Sequence, residues 1–534
     1  MNGDEIKKEE AGAAQAAEKR PLAAQILTIL VLAFLLALAA LSLGRLVTPA
    51  RQFLLGESDF EQFTQEVKNA YTSNAAKNSL INLNGLFCRA LGQRMDNNVI
   101  RLENGMLTYL EYAQDVTPVT ENLIAFNTYL AQRDIPFLYV QAPYKLDLEG
   151  ELLPAGMSHW ANRNGDEFLS ILDGAGVATY DLRPAFSATP ELVEENFFRT
   201  DHHWTCDAAL RAVRPILEQV DALLPGELDL AWADPAQWEA HTYPDLFLGS
   251  QGKRVGIYYG GVDDMTYYTP RFETQMSCMV EVNHQRLTAG TYEDAILQME
   301  HLEKDYFLLS PYCVNIGGDY PLVRHRNAGA PNGEKILLLK DSFSLPLQAY
   351  LSTLFQEVDV VDPRYFKACT VAQYVNLSQP DVVVMMINPD QYISRGYDSY
   401  GAAEQAQWEA TCGPAETLVE APEITVAAGE SNYAYGVIGE LEYGKRYTLH
   451  FDSAQWRTEG GRAVTGLIYN ADTEAAVQYG LFDLEYNGAE GCTWSFFTPQ
   501  EGEGQLQLLL YAGLQGETAG AEISFQNVRL EAQG

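Results

Sequence analysis

Asp201 and His203 stand two apart in Thr200-Asp201-His202-His203-Trp204-Thr205, and Ser342 follows in Leu339-Lys340-Asp341-Ser342-Phe343-Ser344. Together they supply the three side-chain types of a serine nucleophile system. In an extended run, residues i and i+2 share a face, so this spacing points Asp201 and His203 the same way and turns His202 and Trp204 into packing. A carboxylate that accepts the Nδ1 proton of an imidazole fixes its tautomer and leaves Nε2 to take a proton from a hydroxyl. The chemistry expected of such a set is acyl transfer or acyl hydrolysis. Asp201, His202 and His203 are also metal-ligand types, but no further His or Cys cluster at ligand spacing accompanies them, so neither a metal nor another cofactor is expected. The plain alternative for Asp341-Ser342 is a helix cap after a strand.

These groups need elements to position them. Thr205 reads as the N-cap of an amphipathic helix that starts at Cys206, which fixes where the Asp-His pair ends. Lys335-Ile336-Leu337-Leu338-Leu339 is a short apolar run of the kind found in strands buried on both faces, Lys340-Asp341-Ser342 breaks it, and residues 345–354 read as the next helix. A serine at the carboxyl end of a central strand faces the crevice where open α/β sheets bind ligands. Amides at the following helix start can stabilise an oxyanion.

Further strands are expected at Pro136-Phe137-Leu138-Tyr139-Val140, Val177-Ala178-Thr179-Tyr180-Asp181-Leu182, Val358-Asp359-Val360-Val361 and residues 381–387, with helical periodicity at 121–133 and 167–172 between them. This alternation predicts an α/β fold whose parallel sheet carries helices on both faces. A hairpin is expected around Glu103-Asn104-Gly105, and residues 52–92 have helix-favouring patterns of a stalk or docking helix.

Phe198-Arg199-Thr200-Asp201-His202-His203-Trp204-Thr205 resembles the signature of the DHHW protein family, which is similar to the SGNH-hydrolase-like proteins of alginate O-acetylation, with their D-x-H-W motif and G-D-S-type serine. The resemblance covers about residues 50–400 and includes Phe247-Leu248-Gly249-Ser250-Gln251-Gly252-Lys253-Arg254. It implies an SGNH-like fold, Ser342 as nucleophile, His203 as base and Asp201 as its orienting acid. It also implies acetyl as the group moved and a membrane-bound O-acyltransferase as donor partner. Lys340 departs from the pattern, standing where the family has the glycine before Asp-Ser, and this bears on the geometry of the nucleophile turn.

At 534 residues and 47% apolar content the chain has room for two or three domains and is not generally disordered. Its 35 basic and 72 acidic residues give a net charge of −37, which argues against nucleic acid as a partner. Residues 22–44 form a nearly uncharged apolar run, long enough for a hydrocarbon core of about 30 Å. It reads as a single membrane anchor after a cytoplasmic tail at 1–21, with the large domain extracytoplasmic; a cleaved signal peptide is the alternative. Seven cysteines lack C-x-x-C spacing, so neither a zinc ribbon nor a redox motif is indicated and no pairing can be assigned. Cys206 reads as a structural thiol, with a catalytic one as the alternative.

Between about 224 and 333 the pattern changes to short Gly- and Tyr-rich strands, expected to form a β-rich insertion beside the site within the 52–400 domain. Ser250 and Arg254 are candidate substrate contacts there, and Lys145 is a candidate ligand for a substrate oxygen. From about 415 to 534 strands alternate with Gly, Asn and Asp turns, which predicts a β-sandwich or jelly roll laid out like a carbohydrate-binding module. Trp456 and Trp494 are its candidate sugar-stacking platforms, with core packing as the alternative. The combined expectation is an anchored O-acetyltransferase acting on a cell-surface or exported glycan. A carbohydrate O-acetylesterase with the same triad and a non-catalytic glycan-binding scaffold are the alternatives.

Overall fold

The computed structural model describes residues 75–280, 286–366, 370–389, 392, 397, 400–411, 413–427, 434–456, 464–473, 475–482, 492–498, 502–512 and 522–533, together with 47, 50–55 and 63–64. The chain divides into two compact units, Met1–Leu91 and Gly92–Gly534. In the first, Ala75–Ala90 is a helix, within the stretch whose composition favours one. The expected anchor at 22–44 lies outside the described residues. Among the described residues no helix is long and apolar enough to cross a membrane.

The second unit opens with a small antiparallel sheet, β1 (Met95–Asp96), β2 (Val99–Arg101) and β3 (Leu107–Tyr109). The turn between β2 and β3 is the expected one: Gly105 has φ +84° and the Asn104 side chain accepts the Met106 amide. Next come β4 (Phe137–Gln141), β5 (Ala178–Asp181), the paired β6 (Trp238–Phe247) and β7 (Asp263–Pro270), and then β8 (Met276–Val280), β9 (Arg286–Gly290), β10 (Leu322–Asn327), β11 (Asn332–Lys340), β12 (Phe355–Val361) and β13 (Val382–Ile387). Eight of these form one sheet in the order β5-β4-β13-β11-β12-β10-β8-β9. The first five strands in that order run parallel, whereas β10, β8 and β9 join antiparallel.

The sheet is therefore mixed and not wholly parallel, because part of the expected insertion is built into it. The segment at 224–333 gives three strands to the central sheet and only β6 and β7 to a separate ribbon. Each central strand is apolar on both faces. Leu138, Val140, Ile336, Leu338, Val382 and Val384 pack with residues of the Cys206–Asp221 and Ser344–Leu354 helices. Their alternates Phe137, Tyr139, Leu337, Leu339, Val383 and Met385 pack with the Thr117–Ala131, Ala161–Gly174 and Val371–Ser378 helices. Burial of such side chains contributes about 1.5–3 kcal/mol each. It presses helices onto both faces and fixes the end of β11.

The C-terminal strands are β14 (Glu416–Ala427), β15 (Ala434–Leu441), β16 (Arg446–Phe451), β17 (Ser453–Trp456), β18 (Val464–Asn470), β19 (Ala475–Phe482), β20 (Cys492–Phe497), β21 (Leu506–Ala512) and β22 (Glu522–Gln533). They make two sheets, β14-β22-β16-β20 with β17 against β22, and β15-β21-β18-β19. Both sheets contribute to one core that includes Tyr447, Leu449 and Phe525 from the first and Ile468, Leu508 and Leu510 from the second, the sandwich expected from the alternating strands.

Candidate active site

The nucleophile turn leaves the C-terminal end of β11, between β13 and β12. Ser342 is half-buried there, just before the Ser344–Leu354 helix. Asp341 builds the turn. Its Oδ1 accepts the Phe343 amide at 2.9 Å and its Oδ2 accepts the Asn388 amide at 2.6 Å, while its carbonyl accepts the Ser344 amide at 3.1 Å. Burial raises the Asp341 carboxyl above its ordinary range. Among the described residues the Ser342 amide has no acceptor, and it is available at the site as a donor.

The base comes from the loop between Phe197 and the Cys206–Asp221 helix, whose N-cap is Thr205 as the sequence indicates. Ser342 Oγ is 2.8 Å from His203 Nε2, and His203 Nδ1 is 2.5 Å from Asp201 Oδ1. The three predicted residues thus meet in one line. Their local geometry differs from the expectation, however: residues 199–203 bend, and Asp201 Oδ1 also accepts the His203 amide at 3.0 Å. The carboxylate reaches the imidazole through an Asx-type turn, because an aspartate accepts readily from the amide two residues on. Burial would push the Asp201 carboxyl up, but His203 beside it and the Ser250 amide at 2.6 Å outweigh it and hold the group well below the usual carboxylate range.

His202 lies against His203 with centroids 3.8 Å apart and the rings tilted by 38°, and its Nδ1 is 2.8 Å from Ser250 Oγ. Burial drives its pKa down to about 3, so it is a neutral neighbour. Donor atoms of Asp201, His202 and His203 lie within 4.8 Å of one another, yet the hydrogen bonds just described already engage Asp201 Oδ1, His202 Nδ1 and both His203 nitrogens. Tyr312 stacks on the other side of His203 at 4.1 Å and 15°, and its hydroxyl donates to the Phe343 carbonyl. Trp204 is buried, as expected, but it also does more: its indole N–H donates to the same carbonyl at 2.9 Å, tying the base loop to the nucleophile turn.

The Phe247–Arg254 segment backs the acid. A Cβ at Gly249 would fall 2.2 Å from the Asp201 Cβ, so only glycine permits this approach. Thr200 Oγ1 accepts the Gly249 amide, and Asp263 accepts the Arg199 and Thr200 amides at 2.5 and 2.9 Å. Asp263 had no motif to mark it in the sequence. Ser250 is at the site, but what it touches is the acid and His202. Arg254 is exposed at the rim, its guanidinium 4.8 Å from the Tyr109 ring centroid, and that ring neighbours His202.

Three expectations change. Lys145 is only 1% exposed and lies behind the loop, donating to the carbonyls of Arg199 and Asp201 and to Gln251 Oε1 at 3.0, 2.6 and 3.1 Å, so its ammonium is fully engaged by the protein. Trp494 is 0% exposed in the sandwich core against Phe496, where no sugar can stack. Lys340 leaves the turn undisturbed because its side chain runs into a buried network, with Nζ 2.5 Å from Asp319 and 3.1 Å from Asp362, both also paired with Arg364. The side chain of Trp456 lies outside the described residues. The Cys206 thiol is buried and pushed up to about 12 by that burial, which removes it as a nucleophile.

Residues 103–239 match the family model of the SGNH hydrolase-like domain of acetyltransferase AlgX. That stretch carries the Asp-His-His-Trp motif with β3, β4, β5 and the Cys206–Asp221 helix, while Ser342 and the other six strands of the central sheet lie beyond it. Among solved structures, Bacillus cereus PatB1 is 19% identical over 57% of this chain and 98% of its own, with a TM-score of 0.47. A DHHW family protein from Eubacterium siraeum is 18% identical over 58% and 96%, with a TM-score of 0.45. Pseudomonas aeruginosa AlgX is 13% identical over 83% and 98%, with a TM-score of 0.35. No curated protein matches the sequence.

Proposed function

We propose that this chain is an extracytoplasmic O-acetyltransferase, anchored through residues 22–44, that acetylates hydroxyls of a cell-surface or exported polysaccharide by way of an acetyl-Ser342 intermediate. The observation that carries the reading is the unbroken line from Ser342 Oγ through His203 to Asp201 at 2.8 and 2.5 Å. The match of residues 103–239 to an acetyltransferase domain supports the choice of acyl group.

In the first half-reaction His203 Nε2 takes the Ser342 hydroxyl proton as Oγ attacks the acetyl carbonyl of the donor. The Nδ1–H to Asp201 bond stabilises the imidazolium, and the Ser342 amide is the donor this reading assigns to the oxyanion. Collapse breaks the bond to the donor's leaving oxygen, which takes the proton from Nε2. In the second half-reaction a sugar hydroxyl gives its proton to Nε2 and attacks the acetyl carbonyl, and Ser342 leaves with that proton. A membrane-bound O-acyltransferase is the expected donor partner. Arg254, exposed beside Tyr109, is the residue this reading assigns to the acceptor.

Mass spectrometry after exposure of the full chain to an aryl acetate tests this. An acetyl adduct confined to the Ser342 peptide is expected, abolished in Ser342→Ala and lowered at least about 10³-fold in His203→Ala. Oligosaccharide acceptors should then carry the label away faster than water does; release to water alone would make the chain an esterase. Turnover in Ser342→Ala equal to the parent's would leave only a glycan-binding scaffold.

A further inference from the structure

Lys145 follows the C-terminal end of β4, and its ammonium sits directly behind the bend that presents Asp201. All three of its donors reach acceptors, two of them main-chain carbonyls of residues 199 and 201 and the third the side chain of buried Gln251, which belongs to the Ser250–Val255 helix. The carboxylate of Asp201 accepts in turn from the His203 and Ser250 amides. A lysine in this place does two things a neutral donor cannot. It grips three acceptors contributed by two segments at once, and while protonated it puts a positive charge beside Asp201 in surroundings that screen charge poorly.

We infer that Lys145 is a positioning residue for the Asp201–His203 pair: it clamps residues 199–201 to Gln251 and sets the electrostatic field in which His203 exchanges its proton. The inference rests on the function proposed above. The ammonium acts on Asp201 and on His202, the two groups in contact with His203, so taking its charge away is expected to ease protonation of the pair. The other charged or titratable groups that face the pair are His202, Ser342, Tyr312, Cys313, Asp319 and Lys253, and those facing Lys145 are Asp263, Asp201, Arg199 and His202. Burial brings the Lys145 pKa down to about 7, against the pull of Asp263 and Asp201, so the clamp itself weakens in alkali.

The test follows the His203 imidazole by NMR titration in the full chain, its resonance assigned with His203→Gln, alongside the rate of Ser342 acetylation by an aryl acetate as a function of pH. Lys145→Met should raise the His203 midpoint by at least about half a pH unit and slow acetylation about ten- to hundredfold, while Lys145→Arg, which keeps the charge, should slow the reaction without moving the midpoint. Gln251→Glu is nearly isosteric, keeps the clamp and offsets its charge, and should also raise the midpoint if Lys145→Met does not fold. A midpoint unmoved in both Lys145→Met and Gln251→Glu would overturn the inference and reduce Lys145 to a structural staple. If wild-type Ser342 is never acetylated, the enzymatic reading falls, and the titration still decides the clamp.

Discussion

The indole of Trp204 shows how a residue that looks like packing can hold a reaction centre together. Its N–H and the Tyr312 hydroxyl converge on the Phe343 carbonyl, so the base loop and the nucleophile turn are joined at the residue next to Ser342. Trp204→Phe keeps the buried ring and removes one of the two donors. The expected result is a loss of about 1 kcal/mol in urea unfolding and a three- to tenfold slower acetylation of Ser342, measured on the same preparations. Equal rates would mean that Tyr312 alone fixes the carbonyl. The triad was legible in the sequence because each member lies in a short run whose neighbours announce it: a cap after the base, an apolar strand before the nucleophile. Lys145 was misread because a lysine after a strand is usually solvated at a rim, and nothing local says that three acceptors from distant segments will converge on it. Trp494 left two readings open for a related reason, since a tryptophan on an alternating strand has the same appearance whether its face is inside or outside, and the structure takes the packing one.

At the scale of the element, the decisive contact is the approach of the Ser250–Val255 helix start to the acid loop. Gly249→Ala would place a methyl 2.2 Å from the Asp201 Cβ and 2.4 Å from its Cα, contacts that only backbone movement can relieve. We expect a destabilisation of about 1–3 kcal/mol and loss of at least about 10²-fold in acetylation, because a shift of the acid turns the imidazole away. Gly174→Ala is the control. Its added Cβ meets nothing within 4 Å at the end of the Ala161–Gly174 helix, and it should leave both acetylation and stability near or slightly above the parent's. The parallel strands were legible because they are continuous apolar runs. β10 was not, since Leu-Val-Arg-His-Arg-Asn has the composition of a surface strand, yet all six residues are buried. The charges are tolerated because Arg324 and Arg326 pair with Asp359 of β12 at 3.5 and 3.0 Å, a cross-strand match that no single segment reveals.

In the whole second unit the sandwich and the site lie at opposite ends of the central sheet. The cleft beside the sandwich is lined by Arg446, Thr493 and Ser495 and by Pro136, Glu334 and Asp381, which sit at the starts of β4, β11 and β13, whereas Ser342 follows the end of β11. At about 3.3 Å per residue, Glu334 and Lys340 are roughly 20 Å apart, so that cleft lies nearly the length of β11 away from Ser342. The fold that spans this distance has an acid sensitivity written into its buried histidines. Burial lowers the pKa of His159 to about 4 and those of His202 and His325 to about 3, with His203 and Arg326 adding to the effect on the last two respectively. An unfolded histidine titrates near 6.5, so below that pH the unfolded chain binds protons that the folded chain refuses. Stability is therefore whole above about pH 7 and falls as the pH drops through 6.5 toward 4. Below about pH 4 the depressed carboxyls Asp201 and Asp359 add their own loss. His325 is the cleanest probe because it is 0% exposed and lies on β10, two strands across the sheet from β11. Urea unfolding of the wild type and His325→Leu at pH 7 and pH 4 should give a pH-dependent loss smaller in the variant by on the order of 3 kcal/mol. Parallel losses in the two proteins would show that His325 takes up its proton in the folded state, which would require its Arg326 and Asp359 surroundings to open before the chain unfolds.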